Sequence, residues 1–480
     1  MVLVSGGSSE DPRTPPSLPG LPPPYLPTAV VGAGGATAGI DSYGDLVELR
    51  VPGPAGRPLL ENPAQRQYSG TVDAGAGLVP QAAVGARPYR PLWRADSVRQ
   101  RYRPGTNVLV TVARFGRARA VFECGASVQR VACLGRGLEG ARVGFGGQGA
   151  ALHGPLLAGV AGTEAGREAS AVLLQAELDD RRRLDASRPL GPGAPGWAAR
   201  MYERSLLAAA ALTDRRTGAV AAGPRDGWAY VWPRDAGATA IALATSGRRA
   251  DARRTVRFLR RLDLGAAARF DGEGRPLPGR ATQGDAAGWV EAATDAAGVE
   301  AGRKAVPSEW RGLADYQEKA AGDYLGNALA SAAGVTEVRK LFGSEGTLVR
   351  AAGDPASGAD SAAAWTIRPF PRPALFAAAR RTLGLLAVDA GPYGIVPSAE
   401  WPQRDPWTAP TAWTAWALAA AGDRPGALRM LAALRRAATP TGLLPERVDA
   451  RTGVPRSVAP LAWSHAFAAL ALLELWPAQR

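Results

Sequence analysis

The segment GWAYVWPRDAGATAIAL, residues 227–243, places an arginine beside an aspartate directly after a run of aromatic residues. A carboxylate such as that of Asp235 accepts hydrogen bonds from two adjacent hydroxyl groups, and the guanidinium of Arg234 donates in a fixed fork. A helix start is the competing interpretation, because Pro233 suits the first turn and an acidic side chain there meets the helix dipole. A helix start leaves the arginine unexplained, so the pair predicts a site for a hydroxyl-rich ligand.

Other residues that carry chemistry are scarce. The two histidines, His153 and His465, are too few for a multi-histidine metal site or a Ser-His-Asp triad, and we interpret His465 as a packing residue at a helix start. The two cysteines, Cys124 and Cys133, lie in a strand-like region with a spacing that does not suit a metal site, and the sequence leaves open whether they form a disulfide. We predict no metal and no cofactor, so catalysis has to depend on carboxylates.

The formal net charge of +14 does not indicate a nucleic-acid partner, because the arginines are scattered and no basic stripe is interleaved with aromatic residues. The longest apolar run, 466–473, is far shorter than the roughly 18 residues that span a membrane. Residues 1–28 are rich in Pro, Ser and Gly, which predicts a disordered leader without the apolar core of a signal peptide. We expect a cytoplasmic monomer, and export stays open if the gene start is truncated.

The elements that position Arg234 and Asp235 fall into two parts. Residues 29–184 predict a β domain, with strands in DLVELRV, NVLVTVARF, RAVFEC and SAVLLQAEL separated by Gly/Pro turns. Residues 185–196, DASRPLGPGAPG, predict a linker.

From 197 to 480 the apolar spacing of three and four residues predicts about ten to twelve helices. The clearest helical segments are WAARMYERSLLAAAALT, RADARRTVRFLRRL, RPALFAAARRTLGLLA, APTAWTAWALAAAG, RPGALRMLAALRRAA and LAWSHAFAALALLEL. Helical hairpins in such number form a closed toroid or an open solenoid, and the absence of a fixed-period repeat weakens the solenoid.

Five motifs in order resemble glycoside hydrolase family 15, the glucoamylase, glucodextranase and trehalase-like enzymes of bacterial type. They are GWAYVWPRDA, ATQGDAAGWVEA, ADYQEKAAGDYLGNALASAAG, IVPSAEWPQRDPWTAPTAWTAWALAAAG and GLLPERVDARTGVPRSVAPLAWSHA. The resemblance covers roughly residues 29–478. It implies an N-terminal antiparallel, supersandwich-like β-sandwich followed by an (α/α)6-barrel catalytic domain.

The resemblance also implies an exo-acting, inverting enzyme that cleaves α-glucosidic bonds of oligo- or polysaccharides from the non-reducing end. Inversion requires a protonated carboxyl for the leaving oxygen and an ionised carboxyl that activates water, about 6.5–9.5 Å apart. The matching motifs make Glu446 the base and Glu318 the acid. Competing interpretations are a surface glutamate paired with Arg447 and a solvated carboxylate at a helix start beside Lys319. Asp315, Asp323 and Glu309 compete with Glu318.

The same motifs supply candidate substrate-binding residues. Sugar rings present apolar C–H faces to flat side chains, and each tryptophan is also a candidate for the barrel core. The resemblance assigns the non-reducing glucose to Arg234 and Asp235. The remaining candidates are Trp228, Tyr230, Trp232, Gln283, Asp285, Trp289, Trp401, Trp407, Arg447 and Trp463. Of these, Trp232 is expected in the core beneath the pair.

Three residues depart from the family pattern. Trp228 stands where a tyrosine is common, Gln317 replaces the tryptophan before the acid, and Arg447 replaces the glutamine after the base. A cation beside Glu446 lowers its pKa and preserves a base role. Two alternatives follow: a degenerate member that binds carbohydrate without cleaving it, and a helical-toroid scaffold without catalysis. A lyase or phosphorylase needs a tyrosine/histidine site or a phosphate-binding nest, and neither is clear.

Overall fold

The computed structural model describes residues 29–61, 77–152, 154–280, 282–300, 324–330, 338–343, 345–401 and 404–478. Strands occupy the first part of these ranges and helices the later part, as the sequence predicts. Among the helices that fall within these ranges, none has both the length and the apolar character needed to cross a membrane. The predicted leader, residues 1–28, and His153 lie outside the described residues.

Three sheets form the strand-rich part. Their strand orders are β1-β2-β3-β4, β12-β10-β9-β8-β7 and β11-β5-β6. A single apolar cluster contains Ile40 and Leu49 of the first sheet and Leu109 and Val131 of the second, so these two sheets share a core. The strands are β1 Ala29–Gly32, β2 Thr37–Ile40, β3 Leu46–Val51, β4 Arg57–Glu61, β5 Val79–Val84, β6 Arg90–Pro91, β7 Ser97–Tyr102, β8 Leu109–Phe115, β9 Ala118–Ala126, β10 Val131–Leu138, β11 Ala141–Gly146 and β12 Leu156–Val160.

One strand pair departs from the predicted antiparallel arrangement. β10 and β12 run parallel, with Val131 opposite Leu156 and Gly135 opposite Val160. A parallel pair needs a crossover connection, and the chain between them supplies it by placing β11 in another sheet. The other described pairs within these sheets are antiparallel.

The two cysteines face each other across a hairpin. Cys124 of β9 lies directly opposite Cys133 of β10, and the structure joins them in a disulfide with Cα atoms 4.2 Å apart. The sequence left this pairing open, because a spacing of nine places two residues opposite each other only in one strand register.

The segment SAVLLQAEL is helical, which corrects the prediction of a strand there. It belongs to α1, Glu164–Asp185, whose N-cap Thr163 accepts a hydrogen bond from the Gly166 amide. The buried residues Ala169, Leu173 and Ala176 recur at three- and four-residue spacing. A short apolar run is compatible with either a strand or a helix. Here the run forms a helix, and α1 packs against β9, β10 and β12.

Nine further helices occur in the described residues. Two pairs alternate in burial along the chain: α3 and α8 are buried on almost every side, whereas α4 and α9 each expose an arginine-bearing face. α10 is buried throughout except for Glu474 and packs on α3, α8 and α2. The helices are α2 Gly196–Ala211, α3 Pro233–Thr245, α4 Arg249–Leu259, α5 Ala286–Ala296, α6 Leu325–Ala330, α7 Phe376–Val388, α8 Thr408–Ala420, α9 Arg424–Ala437 and α10 Ala462–Leu475. A hairpin of β13 Val349–Ala351 and β14 Asp354–Ala359 lies between α6 and α7.

The strand-rich and helical parts share buried contacts. Thr37 donates to the carbonyl of Ala211 at 3.1 Å, and the amide of Gly272 donates to the carbonyl of Ala55 at 3.0 Å. Arg204 of α2 is buried, donates to the Asn107 side chain at 2.7 Å and lies 3.8 Å from the ring centre of Tyr102. These contacts join the strand-rich part to the helical part.

Candidate active site

The helix start at residues 233–235 has the predicted local structure. Pro233 opens α3, and Arg234 and Asp235 follow in its first turn. Both charged side chains are buried, at 7% and 5% exposure. Burying two charges next to each other is costly unless each has partners, so their neighbours decide what the pair can do.

Arg234 is held by groups from two other segments. Its Nη1 donates to Asp285 Oδ2 at 2.9 Å, and its guanidinium lies over the Trp463 ring at 4.7 Å. Trp289 Nε1 donates to the same Asp285 oxygen at 3.2 Å. Arg234, Asp285, Trp289 and Trp463, all predicted site residues, therefore meet around one buried carboxylate.

Asp235 lies in an acidic environment. Its pKa is raised to about 7, chiefly by burial, which outweighs the lowering effect of Arg234 and is reinforced by the negative charges of Glu446 and Asp285. The structure thus brings residues 235, 285 and 446 within electrostatic reach of one another. A carboxyl that takes up a proton near neutral pH both donates and accepts hydrogen bonds.

Glu446 occupies the loop between α9 and α10, and backbone contacts fix this loop. The Glu446 amide donates to the Val458 carbonyl at 2.9 Å, and its carbonyl accepts from the Thr408 amide at 3.0 Å. Its side chain accepts hydrogen bonds from Trp228 Nε1 at 3.1 Å and from the Ser457 hydroxyl. Each carboxylate oxygen of Glu446 therefore has a donor.

Opposing effects act on the pKa of Glu446. The pKa is raised on balance, because burial outweighs the hydrogen bonds from Ser457 and Trp228 and the charges of Arg447 and Arg280, all of which lower it. Arg447 itself pairs with Asp405 at 2.9 Å. The competing interpretation of an exposed Glu446–Arg447 pair does not describe this geometry, because Glu446 is 9% exposed and its hydrogen bonds come from elsewhere.

Gln283 precedes α5 and is 2% exposed. Neither its amide nitrogen nor its amide oxygen finds a hydrogen-bond partner in the part of the chain that the structure describes. Buried amides are nearly always paired in proteins, so an unpaired one needs a reason.

The aromatic candidates range from fully buried to partly buried side chains. Trp289 is fully buried and packs edge-on against Trp365 and Phe370, each at 5.0 Å, so its ring supports the site from within the core. Trp232 is 8% exposed and donates to the Gly227 carbonyl at 3.3 Å. Three further candidates keep ring contacts: Tyr230 with Arg50 and Arg269, Trp401 with Arg350 and Trp407, and Trp407 with Trp401.

A cavity of about 60 Å³ opens beside Arg234 and Asp285. Residues that the sequence reasoning missed line it, among them Arg350, Asp360, Trp365 and Trp413. The pKa of Asp360 is raised to about 6, because burial outweighs the lowering effects of the hydrogen bond from the Ala362 amide and of the Arg350 charge. Trp365 and Trp413 were visible as tryptophans in apolar segments, but only the folded structure relates them to the site. Trp365 packs against Trp289 at 5.0 Å, and Trp413 packs against Trp463 at 5.2 Å.

The proposed acid is not described. Glu318 and its neighbour Gln317, together with the competitors Glu309, Asp315 and Asp323, lie outside the described residues. The separation of Glu318 from Glu446 therefore stays a prediction.

His465 is buried, accepts a hydrogen bond from the Leu444 amide at 2.9 Å and contacts the Ser205 hydroxyl at 3.0 Å. Burial lowers its pKa to about 3, in agreement with a packing role.

The fold of the chain is similar to that of a solved glucoamylase structure. A bacterial glucoamylase in complex with acarbose matches 96% of this chain and 96% of its own, with 13% identity and a TM-score of 0.65. A glycosidase structure covers 58% of this chain and 98% of its own, with 22% identity and a TM-score of 0.49. The glucoamylase from Saccharomycopsis fibuligera covers 60% of this chain and 96% of its own, with 13% identity and a TM-score of 0.46. No protein-family model and no curated relative matches the chain. The first similarity spans both parts of the molecule, and the chain therefore has a glucoamylase-like fold.

Proposed function

We propose that this chain is an inverting, exo-acting glycoside hydrolase that cleaves α-glucosidic bonds from the non-reducing end of oligo- or polysaccharides. One observation carries the proposal: four buried charged residues from three separate segments lie within electrostatic reach of one another, namely Arg234, Asp235, Asp285 and Glu446. Tryptophan side chains contact three of them, Trp463 at Arg234, Trp289 at Asp285 and Trp228 at Glu446. Convergence of buried charged groups with shifted pKa values marks functional sites more often than ordinary core.

The arrangement of the helices supports an (α/α)6 barrel, with α3, α8 and α10 on the inside. In each of the successive pairs α3–α4 and α8–α9, the first helix is buried and the second has an exposed face. The starts of α3 and α10 and the loop before α10 carry Arg234, Trp463 and Glu446. In the proposed barrel these lie together at one mouth.

Recognition of the terminal sugar falls to Arg234, Asp235 and Gln283. Arg234 is oriented by Asp285 and Trp463, so its fork is fixed before a ligand arrives. The amide of Gln283 offers a donor and an acceptor that neighbouring described residues do not use. Adjacent sugar hydroxyls have the matching donors and acceptors.

Glu446 serves as the base in this proposal. Ionised, it takes a proton from a water molecule as the water oxygen attacks the anomeric carbon. The bond from that carbon to the leaving oxygen breaks, and Glu318 gives its proton to that oxygen. The donors Trp228 and Ser457 favour the ionised form of Glu446 and fix its orientation.

The test is hydrolysis of maltose, isomaltose, trehalose and starch by the full chain, with the anomer of the released glucose observed by proton NMR. Initial release of β-glucose from starch, where the released glucose is the attacked non-reducing unit, supports the proposal, and initial release of α-glucose from starch overturns inversion. Absence of turnover on all four substrates overturns the hydrolase proposal. In that case saturable binding of maltose would identify a carbohydrate-binding protein without catalysis.

A further inference from the structure

A second cavity, which we call the junction cavity, lies away from the candidate active site. Its volume is about 260 Å³. Three parts of the molecule line it: the β1–β2 turn at Ala33 and Gly34, the end of α1, and the region where α2, α3 and α4 end or begin. Small-molecule sites occur preferentially at such junctions between domains.

Arginines dominate the lining. Arg182, Arg183, Arg215, Arg248 and Arg254 line the cavity with only two carboxylates, those of Asp179 and Asp251. The five guanidiniums thus carry three more positive charges than the lining carboxylates neutralise.

The ion pairs reduce this excess but do not remove it, and one of them joins Arg182 to Asp179 at 3.7 Å. Asp251 serves two arginines, Arg248 and Arg254, the latter at 3.0 Å. Arg183 pairs at 3.2 Å with Asp180, which lies outside the lining. Arg215 makes no ion pair with any residue that the structure describes. Even with Asp180 counted, five arginines face three carboxylates.

The cationic side chains are held in place. Arg183 Nη2 donates to the Ala33 carbonyl at 3.0 Å, and Arg248 Nη1 donates to the Arg183 carbonyl at 2.7 Å. Their side chains are only 16% and 19% exposed. Burial and the charges of Arg215 and Arg248 lower the pKa of Arg183, so gathering these cations costs free energy that a bound anion relieves.

We infer that the junction cavity binds a small phosphate-bearing molecule, with the phosphate at Arg183, Arg215 and Arg248. Guanidinium forks match the geometry of phosphate oxygens. The volume is several times the roughly 30 Å³ that one water occupies, which leaves room for a small organic group. Leu184, Leu206 and Leu243 give that group an apolar wall, and none of the described residues that line the cavity is aromatic. This site is independent of the proposed hydrolase.

The test is calorimetric titration of the full chain with inorganic phosphate and with glucose 6-phosphate, at constant ionic strength held with chloride. Arg215→Gln removes the cation without an ion pair, and Arg167→Gln is the matched control, since this exposed arginine lies on α1 outside the cavity. We expect saturable binding by wild type and Arg167→Gln, and affinity at least about tenfold weaker in Arg215→Gln, the loss of one charge-assisted hydrogen bond.

Tighter binding of glucose 6-phosphate than of inorganic phosphate supports a phosphate ester as the ligand, and equal binding supports phosphate alone. Absence of saturable binding by the wild type overturns the inference. So does an equal loss of affinity in both variants, or binding of a single-stranded oligonucleotide that both variants weaken alike, because either shows a diffuse effect of the net charge of +14.

Discussion

Arginines line two hollows of this molecule, and their surroundings differ. In the candidate active site Arg234 pairs with Asp285 and lies over Trp463, and Arg447 pairs with Asp405. Among the described residues that line the junction cavity, arginines outnumber carboxylates and none is aromatic. A charge-balanced pocket with flat rings suits a neutral ligand rich in hydroxyls, whereas an excess of cations without rings suits a compact anion. The immediate partners of an arginine, more than its presence, indicate its ligand.

The largest expected effect comes from Glu446→Gln, which keeps the side-chain size and removes the base. We expect kcat for the best α-glucoside to fall by about 10²–10⁴, the usual contribution of general acid–base catalysis. Steady-state kinetics measure this. Phosphate binding at the junction cavity should stay as in the wild type, which would show that the two sites act independently. Retention of more than about a tenth of kcat would exclude Glu446 as the base.

Arg234→Lys tests whether the contacts of Arg234 with Asp285 and Trp463 matter for activity. Lysine keeps the charge but loses the fork toward Asp285 and the flat contact with Trp463. We expect kcat/KM to fall about 10- to 100-fold, since a hydrogen bond to a charged group contributes about 1.5–3 kcal/mol. Arg215→Lys at the junction cavity is the matched control and should leave kcat/KM unchanged. Equal activities of the two variants would contradict the proposal that Arg234, and not Arg215, binds the substrate.

Trp228→Phe removes the donor to Glu446 Oε1 and keeps an aromatic ring. The hydrogen bond lowers the pKa of Glu446, so its loss raises that pKa. As the pH is lowered, Glu446 of the variant then becomes protonated at a higher pH than in the wild type, and the acidic limb of the pH–rate profile moves to higher pH. We expect kcat to fall about tenfold, together with this shift in the pH–rate profile. Trp232→Phe is the control, because its indole donates to the Gly227 carbonyl. A Trp228→Phe profile that coincides with the wild type would show that the indole does not position the base.

Asp235→Asn changes the pH dependence of stability. The folded-state pKa of Asp235 is raised to about 7 from its ordinary 3.8, so the folded protein binds the proton more tightly than the unfolded chain. That contribution is fully present below pH 3.8 and is lost as the pH rises to about 7. Urea unfolding of the variant should therefore show a smaller loss of stability across this window than the wild type. Identical slopes would place Asp235 in an environment that does not raise its pKa.

Local structure was predictable where one segment decided it. The proline and acidic residue at 233–235 predicted the start of α3, and apolar spacing predicted α2, α4 and α7–α10. The run at 170–178 was mistaken for a strand, because nine residues with several apolar side chains satisfy either period until a packing partner selects one. The parallel β10–β12 pair was missed, because the sequence does not show in which sheet β11 lies.

Partners that are distant in the chain were not predictable. Trp228 stood out as a departure from the family pattern without a hydroxyl, and its indole N–H donates to Glu446, 218 residues away. Arg447 was expected beside the base, yet Asp405, 42 residues earlier, pairs with it. The motifs indicated which residues meet at the site, but not which hydrogen bonds they form.

The sequence by itself determined the order of a strand-rich part and a helical part, the helix start at Arg234 and Asp235, and the set of candidate residues. The order of the two parts and the helix start follow from periodicity, capping and composition over a few neighbouring residues, whereas the candidate residues follow from the motifs that resemble glycoside hydrolase family 15. Only the tertiary structure decided that Cys124 bonds Cys133, that Trp228 and Ser457 donate to Glu446, and that five arginines surround the junction cavity. Those outcomes depend on distances between segments tens to hundreds of residues apart, which burial and packing fix and local sequence does not encode.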